Sequence, residues 1–99
     1  MVVGALTIIC HIHGAVSLKD KRRVVKRILA KTRESFNVSV SEVGENDVHT
    51  SARLAFVMVG SDTAYVNSGL DKMLNFIHSL HLAEIVDHDI ELTTGSPWK

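Results

Sequence analysis

Hydrophobic and polar positions alternate with period two from Val2 to His13, placing Leu6, Ile8, Cys10 and Ile12 on one face and Val3, Ala5, Thr7, Ile9 and His11 on the other. Both faces are largely apolar, which is the pattern of a central strand. After Gly14 the period changes. Ser17 is placed as an N-cap, Asp20 as the acid of a short capping box, and a helix is expected from Leu18 to about Phe36. On a helical projection Leu18, Val25, Ile28, Leu29, Thr32 and Phe36 gather on one side, while Lys19, Arg22, Arg23, Lys26, Arg27 and Arg33 sweep round the other.

Period two returns in Val38–Val43, followed by the turn residues Gly44 to Asp47, and again in Ser51–Gly60, where Leu54, Phe56 and Met58 share a face. Ser61-Asp62 can cap a second helix, in which Val66, Leu70, Met73, Ile77 and Leu80 recur at core-facing spacing as far as His81. From Ala83 to Thr94 an extended stretch interleaves Glu84, Asp87, Asp89 and Glu91 with Ile85, Val86, Ile90 and Leu92, the pattern of an edge strand. The order β-α-β-β-α-β predicts an α+β, ferredoxin-like sandwich: a four-stranded antiparallel sheet with the first and third strands central and both helices on one face. A single domain over 1–94 and a tail over 95–99 containing Trp98 complete the expected organisation.

Composition changes this picture little. The chain has 99 residues, 45% of them hydrophobic and 22% charged, which suits one small core and no second domain. Cys10 is the only cysteine, so an intrachain disulfide is excluded and a reducing, cytoplasmic setting is expected. The apolar run at the start is far shorter than the ~20 residues that span a bilayer, so no membrane role is expected.

Charge changes it more. Formal net charge is zero, yet Lys19 to Arg33 holds eight cations against one acid, a net +7 that the remainder balances with −7. Cations in a first helical turn oppose the helix dipole, each at about 0.3–1 kcal/mol, and a bound phosphate would turn that cost into a site. The candidate anion- or RNA-binding residues are therefore Ser17, Lys19, Lys21, Arg22, Arg23, Lys26, Arg27, Lys31 and Arg33. The plainer alternative is a solvated helix face that pairs with the acids of the fourth strand.

Gly14-Ala-Val-Ser-Leu-Lys-Asp-Lys-Arg-Arg-Val, Phe36-Asn-Val-Ser-Val-Ser-Glu-Val43, and Val66-Asn-Ser-Gly-Leu-Asp71 with Phe76-Ile77 together resemble the YlxP-like family of small bacterial proteins of unknown function. The likeness runs over nearly the whole chain and is most specific at Ser17–Arg22. It implies a ferredoxin-like fold and a gene set among those for translation initiation and ribosome maturation factors, with no established activity. Two departures are His49, where tryptophan is common in the family, and His13, where proline is.

Other chemistry has weaker support. His11 and His13 share a strand face, but Cys10 points the other way and a zinc site needs three or four converging ligands, with His49 or His88 brought from elsewhere; no metal or other cofactor is expected. There is no P-loop, no G-x-S-x-G and no sign of an activated Cys10 thiolate, and Asp47 with His49 fits turn chemistry, so enzymatic activity is not expected. The predicted open sheet face carries Ala5, Thr7, Ile9, Ala55, Val57 and Val59, with no aromatic ring for base stacking. An aliphatic face of this kind calls for a cover, either a homodimer partner or the Trp98 tail. The leading expectation is a cytoplasmic binding protein that docks structured or ribosomal RNA through its first helix. The alternative is a dimeric regulatory or ligand-binding module whose basic helix holds an acidic protein or an anionic metabolite.

Overall fold

The computed structural model describes residues 1–95; Trp98 and its expected packing lie outside them. The elements are β1 (Val2–His11), α1 (Leu18–Ser35), β2 (Ser39–Gly44), β3 (Ser51–Gly60), α2 (Thr63–Leu80) and β4 (Glu84–Thr94). The sheet order is β2-β3-β1-β4 with every pairing antiparallel, so the expected ferredoxin-like architecture is present and β1 and β3 are central. Strand β1 is two residues shorter than its hydrophobic pattern. Ile12 is still buried, but its N–H donates to Thr50 O at 2.9 Å as a loop contact, and the pairing stops at His11.

Both helices begin where their caps dictate. Ser17 Oγ accepts from Asp20 N at 3.2 Å, and an Asp62 carboxylate oxygen accepts from Tyr65 N at 3.1 Å. Helix α1 stops at the extended Phe36, and α2 at His81, whose backbone is left-handed with φ 52°. Leu6, Ile8, Leu54, Phe56, Val66, Leu70 and Met73 fill the space between sheet and helices and are completely buried. Gly4 lets α2 approach β1: a Cβ there would collide with Val66 and stand 2.8 Å from Leu70 Cδ1. Neither helix is long and apolar enough to cross a membrane.

Lys21 is the exception in this core. It is only 1% exposed, and its Nζ donates to the carbonyls of Glu45 and Val48, the latter at 2.8 Å. The same ammonium lies 2.9 Å from Glu42 Oε2. That buried oxygen has no other polar partner among the described residues, so the Lys21 charge alone offsets its desolvation. The ammonium donates hydrogen bonds to two carbonyls and holds the carboxylate as an ion pair. Lys21 thus pins strand β2 and the β2–β3 turn, where Glu45 has φ 61°, against the side of α1.

Lys21→Met leaves a buried carboxylate and two carbonyls without their partner and is expected to cost roughly 3–5 kcal/mol, whereas Lys21→Met with Glu42→Leu recovers a large part of the loss. Urea midpoints check both; a single variant within error of the parent would mean that the latch contributes nothing. Gly4→Ala is expected to cost about 1–3 kcal/mol by overpacking against α2, read from the same titrations.

Candidate nucleic-acid interface

Helix α1 divides by spacing. Lys21, Val25, Ile28 and Thr32 are buried and lie four, seven and eleven residues apart counted from the first, which is the core-facing stripe. Lys19, Arg22, Arg23, Lys26, Arg27 and Arg33 are exposed and Lys31 is half-buried. At 100° per residue these seven cations cover about half the circumference, and from Lys19 to Arg33 the ridge is about 21 Å long. Among the described residues none of the seven lies within ion-pair distance of an acid.

Of the nine residues expected to bind an anion, seven therefore form one ridge, six of them exposed and Lys31 half-buried. Lys21 does not join them, because it faces the interior and is neutralised by Glu42. Its spacing from Val25, Ile28 and Thr32 was the signal that it belonged to the core. Ser17 is occupied as a cap, and Asp20 Oδ2 accepts from Val16 N at 3.2 Å, one residue before the N-cap. The helix head, the position favoured for a single bound phosphate, thus holds the protein's own carboxylate, and the available positive charge lies along the outer arc.

The acids of β4 do not pair with that arc. Helix α1 packs against β2 and α2, while Asp87, Asp89 and Glu91 stand opposite Ile9, Thr7 and Ala5 of β1, on the sheet face turned away from the helices. The same open face holds Ala55, Val57 and Val59 of β3, and Phe56 is in the core, so no aromatic ring of these two central strands is offered for base stacking.

The cysteine and histidines are arranged as follows. Cys10 Sγ donates to Ala52 O at 3.6 Å, and burial pushes the thiol up to about 11 although the Lys21 charge acts in the opposite direction, so it is protonated at neutral pH. The rings of His11 and His13 meet edge to face at 4.3 Å, and His13 Nε2 lies 2.7 Å from Glu84 Oε1 at an exposed site. His13, His78, His81 and Glu84 line one open groove, but no three His, Cys, Asp or Glu side chains among the described residues converge as metal ligands. Asp47 and His49 are exposed turn residues.

A further concavity of about 300 Å³ lies beyond the C-terminus of α1, lined by Phe36, Val38, Met58 and Gly69 with Tyr65 and Lys72 among its more polar neighbours. Sequence periodicity gave no sign of it. It is left open by Gly69, where a Cβ would stand 2.8 Å from Met58 Sδ.

Comparison with solved structures places the fold. A de novo designed protein, Foldit4, aligns with TM-score 0.50 at 20% identity, covering 96% of this chain and 98% of its own. An antibiotic biosynthesis monooxygenase aligns with TM-score 0.50 at 13% identity, covering 98% and 100%. At such identity the likeness concerns the fold alone. It does correct one expectation: this architecture occurs in a protein that is an enzyme, so the lack of familiar catalytic motifs does not exclude catalysis. Among sequences, the uncharacterized protein YlxP of Bacillus subtilis (strain 168) is 40% identical over 70 residues, 71% of this chain and 76% of that protein. Residues 3–90 match the model of the family described as protein of unknown function DUF503, and the chain belongs to that family.

Proposed function

We propose that the protein binds structured RNA, ribosomal RNA in particular, through phosphate contacts along the outer arc of α1. One observation carries the reading: seven cations stand on one side of one helix, unpaired among the described residues, in a protein whose net charge is zero. Charges placed for solubility alone would be as useful spread over the surface, whereas a one-sided field orients the molecule on approach to a polyanion. A straight ridge about 21 Å long can follow successive backbone phosphates, and contacts of that kind fix position without reading sequence. RNA of the translation machinery also fits the gene setting that the family resemblance implies.

The anionic-metabolite alternative loses its natural seat, because the Asp20 carboxylate already occupies the head of α1. An acidic protein surface would use the same arc, and the experiment has to separate it from RNA.

Fluorescence anisotropy with a labelled ribosomal RNA hairpin makes that separation. With four or five phosphates neutralised, log K against log[salt] is expected to fall with a slope of about −3 to −4.5. Joint replacement of Lys19, Arg22, Arg23 and Lys26 by Glu abolishes binding without disturbing the circular dichroism spectrum, since all four side chains are exposed. Polyglutamate does not displace the RNA. Binding that ignores both salt and the charge reversals would sink the proposal, and displacement by polyglutamate at equal charge concentration would favour the protein partner.

A further inference from the structure

The open sheet face is built in rows set by the strand register. Reading across from β2 to β4, one row is Gly44, Arg53, Ile9 and Asp87. The next is Ser41, Ala55, Thr7 and Asp89, and the third is Ser39, Val57, Ala5 and Glu91. Val59, Val3 and Thr93 follow. The centre is aliphatic, with Val59 62% exposed; one edge carries Asp87, Asp89 and Glu91, with Glu84 beyond them opposite His11, and the other carries two hydroxyls and a bare glycine. Arg53 leans toward that glycine edge, for a Cβ on Gly44 would stand 3.3 Å from Arg53 Cδ and 3.7 Å from Nε.

We infer that this face is the interface of a homodimer whose two-fold axis runs parallel to the strands, with Arg53 of each copy meeting Asp87 of the other. Face-to-face packing with aligned strands can be generated by two-fold axes in two directions. An axis across the strands stacks β4 on β4 and sets the acids of one copy against the same acids of the other, which is destabilising. An axis along the strands, between β1 and β3, instead lays β4 on the second copy's β2 and β1 on its β3, and it preserves every row. Asp89 then faces Ser41 and Glu91 faces Ser39, so each acid meets a hydroxyl donor. Asp87 faces Gly44, over which the Arg53 side chain already extends. In the centre Ala5 faces Val57, Thr7 faces Ala55 and Val3 faces Val59, small against larger or apolar against apolar.

Dimensions suit this occupant. Three strands of ten or eleven residues and the six-residue β2 give a footprint somewhat under about 33 Å by 19 Å, of the same order as the ~800 Å² that each partner contributes to a standard interface. The face also lies away from α1, so the pairing is independent of the RNA-binding reading.

Sedimentation velocity and multi-angle light scattering at physiological salt test the inference. The unmodified chain is expected at twice its 10.9 kDa mass. Arg53→Glu and Asp87→Arg should each weaken dimerisation at least ~10-fold, and the two together should return it to within ~3-fold of the parent. Circular dichroism of each variant confirms folding, and Val59→Arg probes the same face if a charge reversal proves unstable. A monomer at 100 μM would overturn the inference, as would a dimer that the single reversals and Val59→Arg leave intact, or a double variant no better than either single one.

Discussion

The ammonium of Lys21 is the contact on which the arrangement of α1, β2 and the β2–β3 turn depends. A buried charge is tolerable only when paired and hydrogen-bonded, and the Glu42 carboxylate with the carbonyls of Glu45 and Val48 meets that condition at one point. Those acceptors come from the shortest strand of the sheet and from the turn after it, the part of the fold with least hydrophobic anchorage of its own, since Val43 and Val48 are exposed. A non-polar residue at position 21 could bury surface, but it could not fix where the turn carbonyls lie. The neighbouring Cys10 sits in the same polar interior, where desolvation outweighs the cation's pull on its thiol.

Most of the fold was legible because each element announces itself twice. Ser17 and Asp62 are side-chain caps, and the residues after them keep an apolar stripe at helical spacing, so both helices start as the sequence predicts. The alternation in β1 and β3 set the two faces of the sheet, and register then carried the open-face residues to their expected places. What the pattern did not convey was burial of a charged side chain. Lys21 looks like one more cation in a basic run, and only its spacing from Val25, Ile28 and Thr32 separates it from its neighbours. Glu42 offers even less: an acid in an alternating strand is ordinarily solvent-facing, and its burial depends on a helix brought close by the tertiary fold. The concavity beside Gly69 was likewise invisible, because it depends on how Met58 and Phe36 meet α2, and the Phe36 ring is itself set edge to face against Phe76 at 5.5 Å.

Removing Lys21 from the surface sharpens the charge distribution rather than weakening it. The cations that remain on α1 have no acid within ion-pair distance among the described residues, and Asp87, Asp89 and Glu91 of β4 face the opposite side of the sheet. A protein of zero net charge is thereby divided into a basic helix layer and an acidic sheet edge. Neither half neutralises the other across the core, so both charges stay open to water, counterions or a partner. The molecule thereby presents two surfaces of different character, an electrostatic ridge suited to a polyanion and a mixed aliphatic and acidic face suited to a second copy.

The two surfaces constrain each other when considered together. Stacked sheets lie about 10 Å apart, with a helix layer roughly 10 Å beyond each, so the α1 axes of such a dimer would be some 30 Å apart. Their basic arcs would face outward in opposed directions. One straight RNA helix could then touch only one arc, and the salt dependence of that contact would be the same for monomer and dimer. A folded RNA, with backbone on both sides of the protein, would engage both arcs, and its affinity would carry an avidity term that vanishes with the dimer. Such a dimer would thus select for RNA of compact tertiary shape, and the selection would arise although no phosphate contact reads a base.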